Sequence, residues 1–140
     1  MRIVLRVLAA AALGISAYVH LHLAHRYAYP GTIRGDQLFY AQGVVAAVVA
    51  VALLLTGNKW VWALAALVGL ASFAAVMLYR YVDVGAIGPL PDMNDPTWNP
   101  SPDKLLSAVA EACVPVLWLL WLSLSWRAHP PARALQPAGS

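Results

Sequence analysis

AQGVVAAVVAVALLLTGNKWVWALAALVGLASFAAVML, residues 41–78, holds two apolar runs and a single charged side chain, Lys59. The break between the runs is only TGNKW at 56–60. Gly57 and Asn58 tolerate the backbone conformations that end one helix and start the next. A hydrocarbon core about 30 Å thick needs about 20 mostly apolar residues in helical form. The stretch therefore predicts an antiparallel pair of membrane-spanning helices. It lacks the period-two alternation that strands of a membrane barrel would show.

The same pattern extends to both sides. Four segments have the length and apolarity of a span, at 3–25, 38–56, 60–81 and 103–126. The whole chain is 61% hydrophobic and 11% charged, whereas soluble domains run at about 45–50% and about 25%. An all-α membrane protein follows: a four-helix transmembrane bundle over residues 1–126, with a short tail at 127–140. MRIVLRVLAAAALGISAYVHLHLA at 1–24 has the basic start and apolar body of a secretory signal. Arg6 interrupts it, however, and no small-x-small cleavage site follows, so it reads as an uncleaved first helix.

Charge sets the expected orientation. Arg2, Arg6, Lys59, Arg127 and Arg133 fall on one side; Arg26, Arg34, Arg80 and Lys104 fall on the other. The excess places both termini in the cytoplasm, an N-in/C-in topology in a bacterial plasma membrane. Trp60, Trp62, Trp121 and Trp126 would then line the inner interface, with Tyr27, Tyr29, Tyr40, Tyr79 and Tyr81 at the outer one. The outer loop, 82–102, carries five of the ten prolines. They should stiffen it, and Met93 and Trp98 would fold it back as a lid. Ser101 suits an N-cap, with Pro102 as the first helical residue. The tail, proline-rich and with His129, reads as disordered.

Small residues four apart let helices approach where lipid supplies no hydrophobic drive. Ala10 and Gly14, Gly43 and Ala47, and Ala65 and Gly69 are such pairs. Cys113, the one cysteine, reads as a small buried hydrophobe.

Function rests on the polar residues within lipid depth. Glu111 is the one acid inside a span and lies about 10 Å below the outer end of its helix. Intramembrane charges face a bundle interior or a wet cavity. Pro115, four residues on, cannot donate to the carbonyl of Glu111. His20 and His22 lie about 8–10 Å below the outer end of the first helix, and Gln42 reaches a similar depth on the second. Arg80 and Asp83 stand at the outer end of the third. These residues, with His25, define a candidate polar pocket in the outer half.

On a helix, His22 and His25 share a face, while His20 points roughly 160° from His22. A metal would therefore take His22 and His25, with Glu111 or Asp36 completing a His/carboxylate set. Interfacial histidines bonded to nearby polar groups explain the same residues without a metal. A bis-histidine haem would need a second helix carrying a histidine, which one chain lacks. No cysteine motif, nucleophile elbow, phosphate loop or HExxH run occurs, so no enzyme class gains support. The scattered basic residues make no nucleic-acid surface.

HLHLA closing the first helix, GDQLFYAQ opening the second, VGAIGPLPDM in the outer loop and SAVAEA in the fourth span carry a resemblance over nearly the whole chain. They resemble a group of small four-helix integral membrane proteins common in actinobacteria. In size and span number the chain is also similar to DoxX-like four-helix proteins. Both resemblances imply architecture and no particular activity.

Three functions follow as expectations. The first is an accessory or partner-binding subunit that packs against other membrane subunits or a second copy of itself, with no cofactor. The second is a small-ligand, divalent-metal or proton-relay site in the outer half. The third is a transporter or channel component, which the apolar inner half allows only in an oligomer.

Overall fold

In the computed structural model, which describes residues 1–99 and 101–127, the connection at 57–58 is as tight as its residues require. Gly57 adopts φ 59° and ψ 18°, and its N–H donates to the Leu53 carbonyl at 3.1 Å. That left-handed residue ends one helix at no steric cost. The Asn58 Oδ1 then accepts from the N–H groups of Trp60 and Val61, each at 3.0 Å, and starts the next. Pro100, and the tail from residue 128 that was expected to be disordered, with His129 and Arg133, lie outside the described residues.

The helices are α1 (Arg2–Leu23), α2 (Gly35–Thr56), α3 (Lys59–Tyr81) and α4 (Asp103–Arg127), with a 3-10 turn at Ala24–Tyr27. All four are long and apolar enough to cross a membrane. α1 packs on α2 and α4, α3 packs on α4 and more lightly on α2, and α1 and α3 lie across the diagonal. Arg2 Nη2 donates to the Leu124 carbonyl at 3.1 Å. Arg6 covers Gly57, where an added Cβ would sit 2.6 Å from its Nη1. Both ends of the described chain thus share one end of the bundle with the 57–58 turn, here called the turn end. The 24–34 and 82–102 connections form the other, the loop end.

The start of α2 and the role of Pro102 differ from expectation. α2 begins at Gly35, not 38, because Asp36 and Gln37 make a polar first turn. Gln37 Oε1 accepts from the Arg34 N–H at 3.0 Å, and Asp36 pairs with the Arg34 guanidinium at 2.7 Å. α4 begins at Asp103, and the Pro102 carbonyl takes its first bond, from Leu106 N at 2.9 Å. Pro102 thus stands outside the first turn instead of opening it.

Glycines set where backbones meet. A Cβ on Gly43 would lie 2.6 Å from Leu21 Cγ, and one on Gly69 would lie 2.8 Å from the Glu111 carbonyl oxygen. Gly43 therefore seats α2 on α1, and Gly69 seats α3 on α4. α4 runs on through Pro115, and the carbonyl that Pro115 cannot serve is the one Gly69 approaches. Gly14 has nothing within 4 Å of an added Cβ; it is small but turned outward, so of the Ala10/Gly14 pair only Ala10 packs in the core.

The core in the turn-end half is made of small residues around indoles. Trp62, Ala9, Leu13, Leu53 and Ala65 are wholly buried. The Trp62 ring stacks on Trp121 at 5.4 Å and 22°. Trp62 is therefore a core residue, in helical phase with Ala65, Ala66 and Gly69, and not part of an interfacial belt. Trp60 and Trp126 are 74% and 77% exposed, the pattern of belt residues. Cys113 also departs from expectation: it faces outward from α4. Around the outside, Val48, Leu55, Leu67 and Leu119 stand exposed along the spans, an apolar exterior better suited to a bilayer than to water.

Candidate functional site

Glu111 is 1% exposed, on the inward face of α4. Its Oε1 accepts from Ser16 Oγ on α1 and from Ser107 Oγ on α4, both at 2.8 Å. Each helix contributes a pair spaced i, i+4: Ser16 with His20, and Ser107 with Glu111. That spacing places the two side chains of each pair on one face, and the two faces meet. His20 Nδ1 lies 3.6 Å from Glu111 Oε1 and 2.9 Å from the Ser16 carbonyl. A carbonyl oxygen only accepts, so Nδ1 carries a proton and donates it there. Among the described residues Glu111 Oε2 has no partner.

His20, and not His22, meets Glu111. Two residues along a helix turn the side chain by about 200°, so both cannot face inward. His20 follows Ala9, Leu13 and Ser16 on the buried face of α1. His22 is exposed and stacks on Tyr18 at 5.5 Å, and His25 sits edge-on to His22 at 6.4 Å, also exposed. The proposed metal set of His22, His25 and Glu111 is not assembled, since its members face opposite ways. Asp36 is engaged by Arg34. Among the described residues no three His, Cys, Asp or Glu side chains gather closely enough to hold one ion.

Above this cluster, toward the loop end, is a cavity of about 580 Å³, within the range of small-molecule pockets. Its lining is mostly carbon. The polar exceptions are His20, Gln42, Ser72, Ser107, the tyrosines Tyr27 and Tyr79 and, at the loop end, Asp95 with Lys104. Gln42 Nε2 donates to Ser72 Oγ, tying α2 to α3 inside the cavity. Ala71, Ala74, Ala75 and Leu78, one stripe of α3, both line the cavity and stand exposed. The cavity therefore opens sideways along α3.

The 82–102 loop closes the loop end. Leu90 and Met93 reach into the cavity, and Asp95 fastens the loop. Lys104 Nζ lies 2.7 Å from Asp95 Oδ2 and also donates to the carbonyls of Asp95 and Thr97, at 3.1 and 2.6 Å. Tyr27 Oη donates to Asp95 Oδ2 at 3.0 Å, and Asp95 N donates to the Tyr79 carbonyl at 3.0 Å. Burial alone would raise the Asp95 carboxyl, but the hydrogen bond and charge of Lys104, with the Tyr27 and Thr97 hydroxyls, outweigh it and hold the group below its ordinary value. Tyr29 shifts the other way, raised by burial and then by the charges of Asp95 and Asp92.

Arg80 and Asp83 do not line the cavity. The Arg80 guanidinium lies over Tyr81 at 4.9 Å and Trp98 at 5.6 Å, and Asp83 accepts from Gly85 N at 3.3 Å in an exposed turn. Sequence reasoning missed Ser16, Ser72 and Ser107. The i, i+4 partnership of a serine with each buried ionisable group was the signal that could have found two of them. No protein-family model, curated protein or solved structure matches the chain.

Proposed function

We propose that this chain is a plasma-membrane protein, with the loop end outside and both termini in the cytoplasm, that binds a small molecule in the cavity of its outer half. The observation that carries this reading is a cavity of about 580 Å³ at which the polar side chains of three spans converge, His20, Gln42 and Ser72. A bundle built only to fill space would have closed over it, as the turn-end half does around Trp62. The loop fastened by Asp95 and Lys104 acts as the lid, and the opening along α3 as the way in. The reading is one of binding: the lysine and acid that line the cavity, Lys104 and Asp95, are committed to structural partners. The alternative expectation, an accessory subunit packed against a partner, draws on the exposed helix faces but has no residue specific to it.

The test is native mass spectrometry of the full chain released from its own membranes. A bound small molecule is expected on the native protein and at least about tenfold less on Ala75→Trp, a change of about 1.4 kcal/mol in binding. Circular dichroism checks that the variant keeps its helices. No adduct on either protein, with a stoichiometric protein partner in its place, would replace this reading with the subunit one.

A further inference from the structure

Resting on the reading of the cavity as a binding site, we infer that its ligand is an uncharged lipophile, a hydrocarbon body bearing a hydroxyl or carbonyl oxygen, taken directly from the bilayer. The charge inventory of the cavity argues this first. Lys104 and Asp95 are the lysine and acid that line it, and each is already engaged. An ammonium has three N–H donors, and Lys104 directs its three to Asp95 Oδ2, the Asp95 carbonyl and the Thr97 carbonyl. Asp95 in turn accepts from Lys104 and from the Tyr27 and Thr97 hydroxyls. An anionic headgroup would have to strip Lys104 of these partners, and a cationic one would have to strip Asp95. A charge left unpaired in such an apolar space is far costlier than a neutral polar group that makes one hydrogen bond.

What remains open in the cavity is an amide, a hydroxyl and one imidazole nitrogen. Gln42 spends one N–H on Ser72, which leaves its amide oxygen to accept. The Ser72 hydroxyl accepts from Gln42, so its own proton is free to donate. His20 has committed Nδ1 to the Ser16 carbonyl, which leaves Nε2 as its second hydrogen-bonding atom. Ser107 is already given to Glu111. One acceptor and one donor side by side at Gln42 and Ser72 match a hydroxyl, which both gives and takes, or a carbonyl, which takes. Tyr27 gives its hydroxyl to Asp95, and Tyr79 adds a phenol to the lining; the remainder of the wall, including Leu23, Phe39, Val76 and Met93, offers only apolar contact.

The opening sets the source. Ala71, Ala74, Ala75 and Leu78 belong to the apolar span of α3, and the lid closes the loop end. A molecule already dissolved in lipid reaches Gln42 and Ser72 without crossing water, which favours compounds that partition into bilayers.

The experiment uses the full chain in lipid nanodiscs, with photoreactive analogues of 1-decanol, decyl sulfate and decyltrimethylammonium. These share one hydrocarbon chain and carry neutral, negative and positive heads. They are compared at equal measured concentration in the bilayer, and labelling is mapped to peptides by mass spectrometry. The decanol probe is expected to label the 71–79 stretch at least about tenfold more than either charged probe. Gln42→Leu and Ser72→Ala should each abolish that preference, and Ala75→Trp should block all labelling there. If a charged probe labels the stretch as well as decanol does, the ligand class is wrong while the binding site stands. If none labels it above the lipid-facing 44–55 face of α2, the binding site itself falls. Decanol labelling that persists in both Gln42→Leu and Ala75→Trp would place the probe on the outer surface and also overturn the inference.

Discussion

The two halves of the bundle use the same four helices and reach opposite results. Toward the turn end, Ala9, Ala65 and Leu53 close around Trp62, and the indole stacks on Trp121. Toward the loop end, α2 and α3 are held by one hydrogen bond, from Gln42 to Ser72, beside a cavity of about 580 Å³. The boundary between them falls near Gly43, Gly69 and Glu111. Membrane helices close where small residues face a partner that can fill the space they leave. Gly69 has such a partner in α4, and Gly43 has one in Leu21. The alanines at 71, 74 and 75 have none, so their stripe borders open space. Small residues thus serve close packing in one half and leave room in the other.

If this contrast is right, the largest loss belongs to the turn-end half. Trp62→Ala removes a wholly buried ring from a packed site and should cost about 3–5 kcal/mol, read as a drop in thermal or denaturant stability in detergent. A cost no greater than that of Ala75→Trp would erase the distinction between the halves. At the boundary, Gly69→Ala adds a methyl group 2.8 Å from the Glu111 carbonyl. About 1–3 kcal/mol of overpacking cost is expected, and Gly14→Ala, where space is open, should show none of it. Ser16→Ala deprives Glu111 Oε1 of one of its two hydroxyl donors. It should destabilise by about 1–3 kcal/mol, whereas His22→Ala should stay within about 0.5 kcal/mol of the native chain. A His22 effect equal to that of Ser16 would mean that the inward face of α1 has been misassigned.

The smallest expected effect concerns the lid and depends on pH. The Asp95 carboxyl lies below its ordinary value in the folded chain, so its contribution is fully present above the ordinary carboxylate range of about 3.9. It is lost as pH falls through the lowered folded value. Amide exchange across residues 84–99 should therefore be flat from about pH 5 to about pH 8, after correction for its intrinsic rate, and rise in stronger acid. Asp95→Asn should raise exchange from about pH 5 to about pH 8 toward the level the native chain reaches in strong acid, and remove that acid-dependent rise.

The spans and the 57–58 turn were legible in the sequence because length, apolarity and a Gly-Asn pair are properties of single segments. What was not legible was helical phase. His20 and His22 have the same depth and chemistry and differ only in direction, which apolarity cannot assign on a helix that is apolar all round. The clue lay in neighbours: Ser16 four residues before His20, and Ser107 four before Glu111. Trp62 was placed by depth, as belt residues are, yet its phase with Ala65 and Gly69 turns it inward. Gly14 carried the opposite error, small but out of phase with any neighbour. The cavity could not be read in advance, because a space is a property of residues that fail to meet.

The meeting of Gly69 with the Glu111 carbonyl fixes the axial alignment of α3 against α4. Sliding α3 by one turn would bring Ala65 or Phe73 to that oxygen, and each carries a Cβ where there is no room. The pair is thus keyed at a single notch, cut where Pro115 leaves a carbonyl without its helical donor. Whatever occupies the gap above inherits its geometry from that notch, because Ser72 lies one turn beyond it on the same helix.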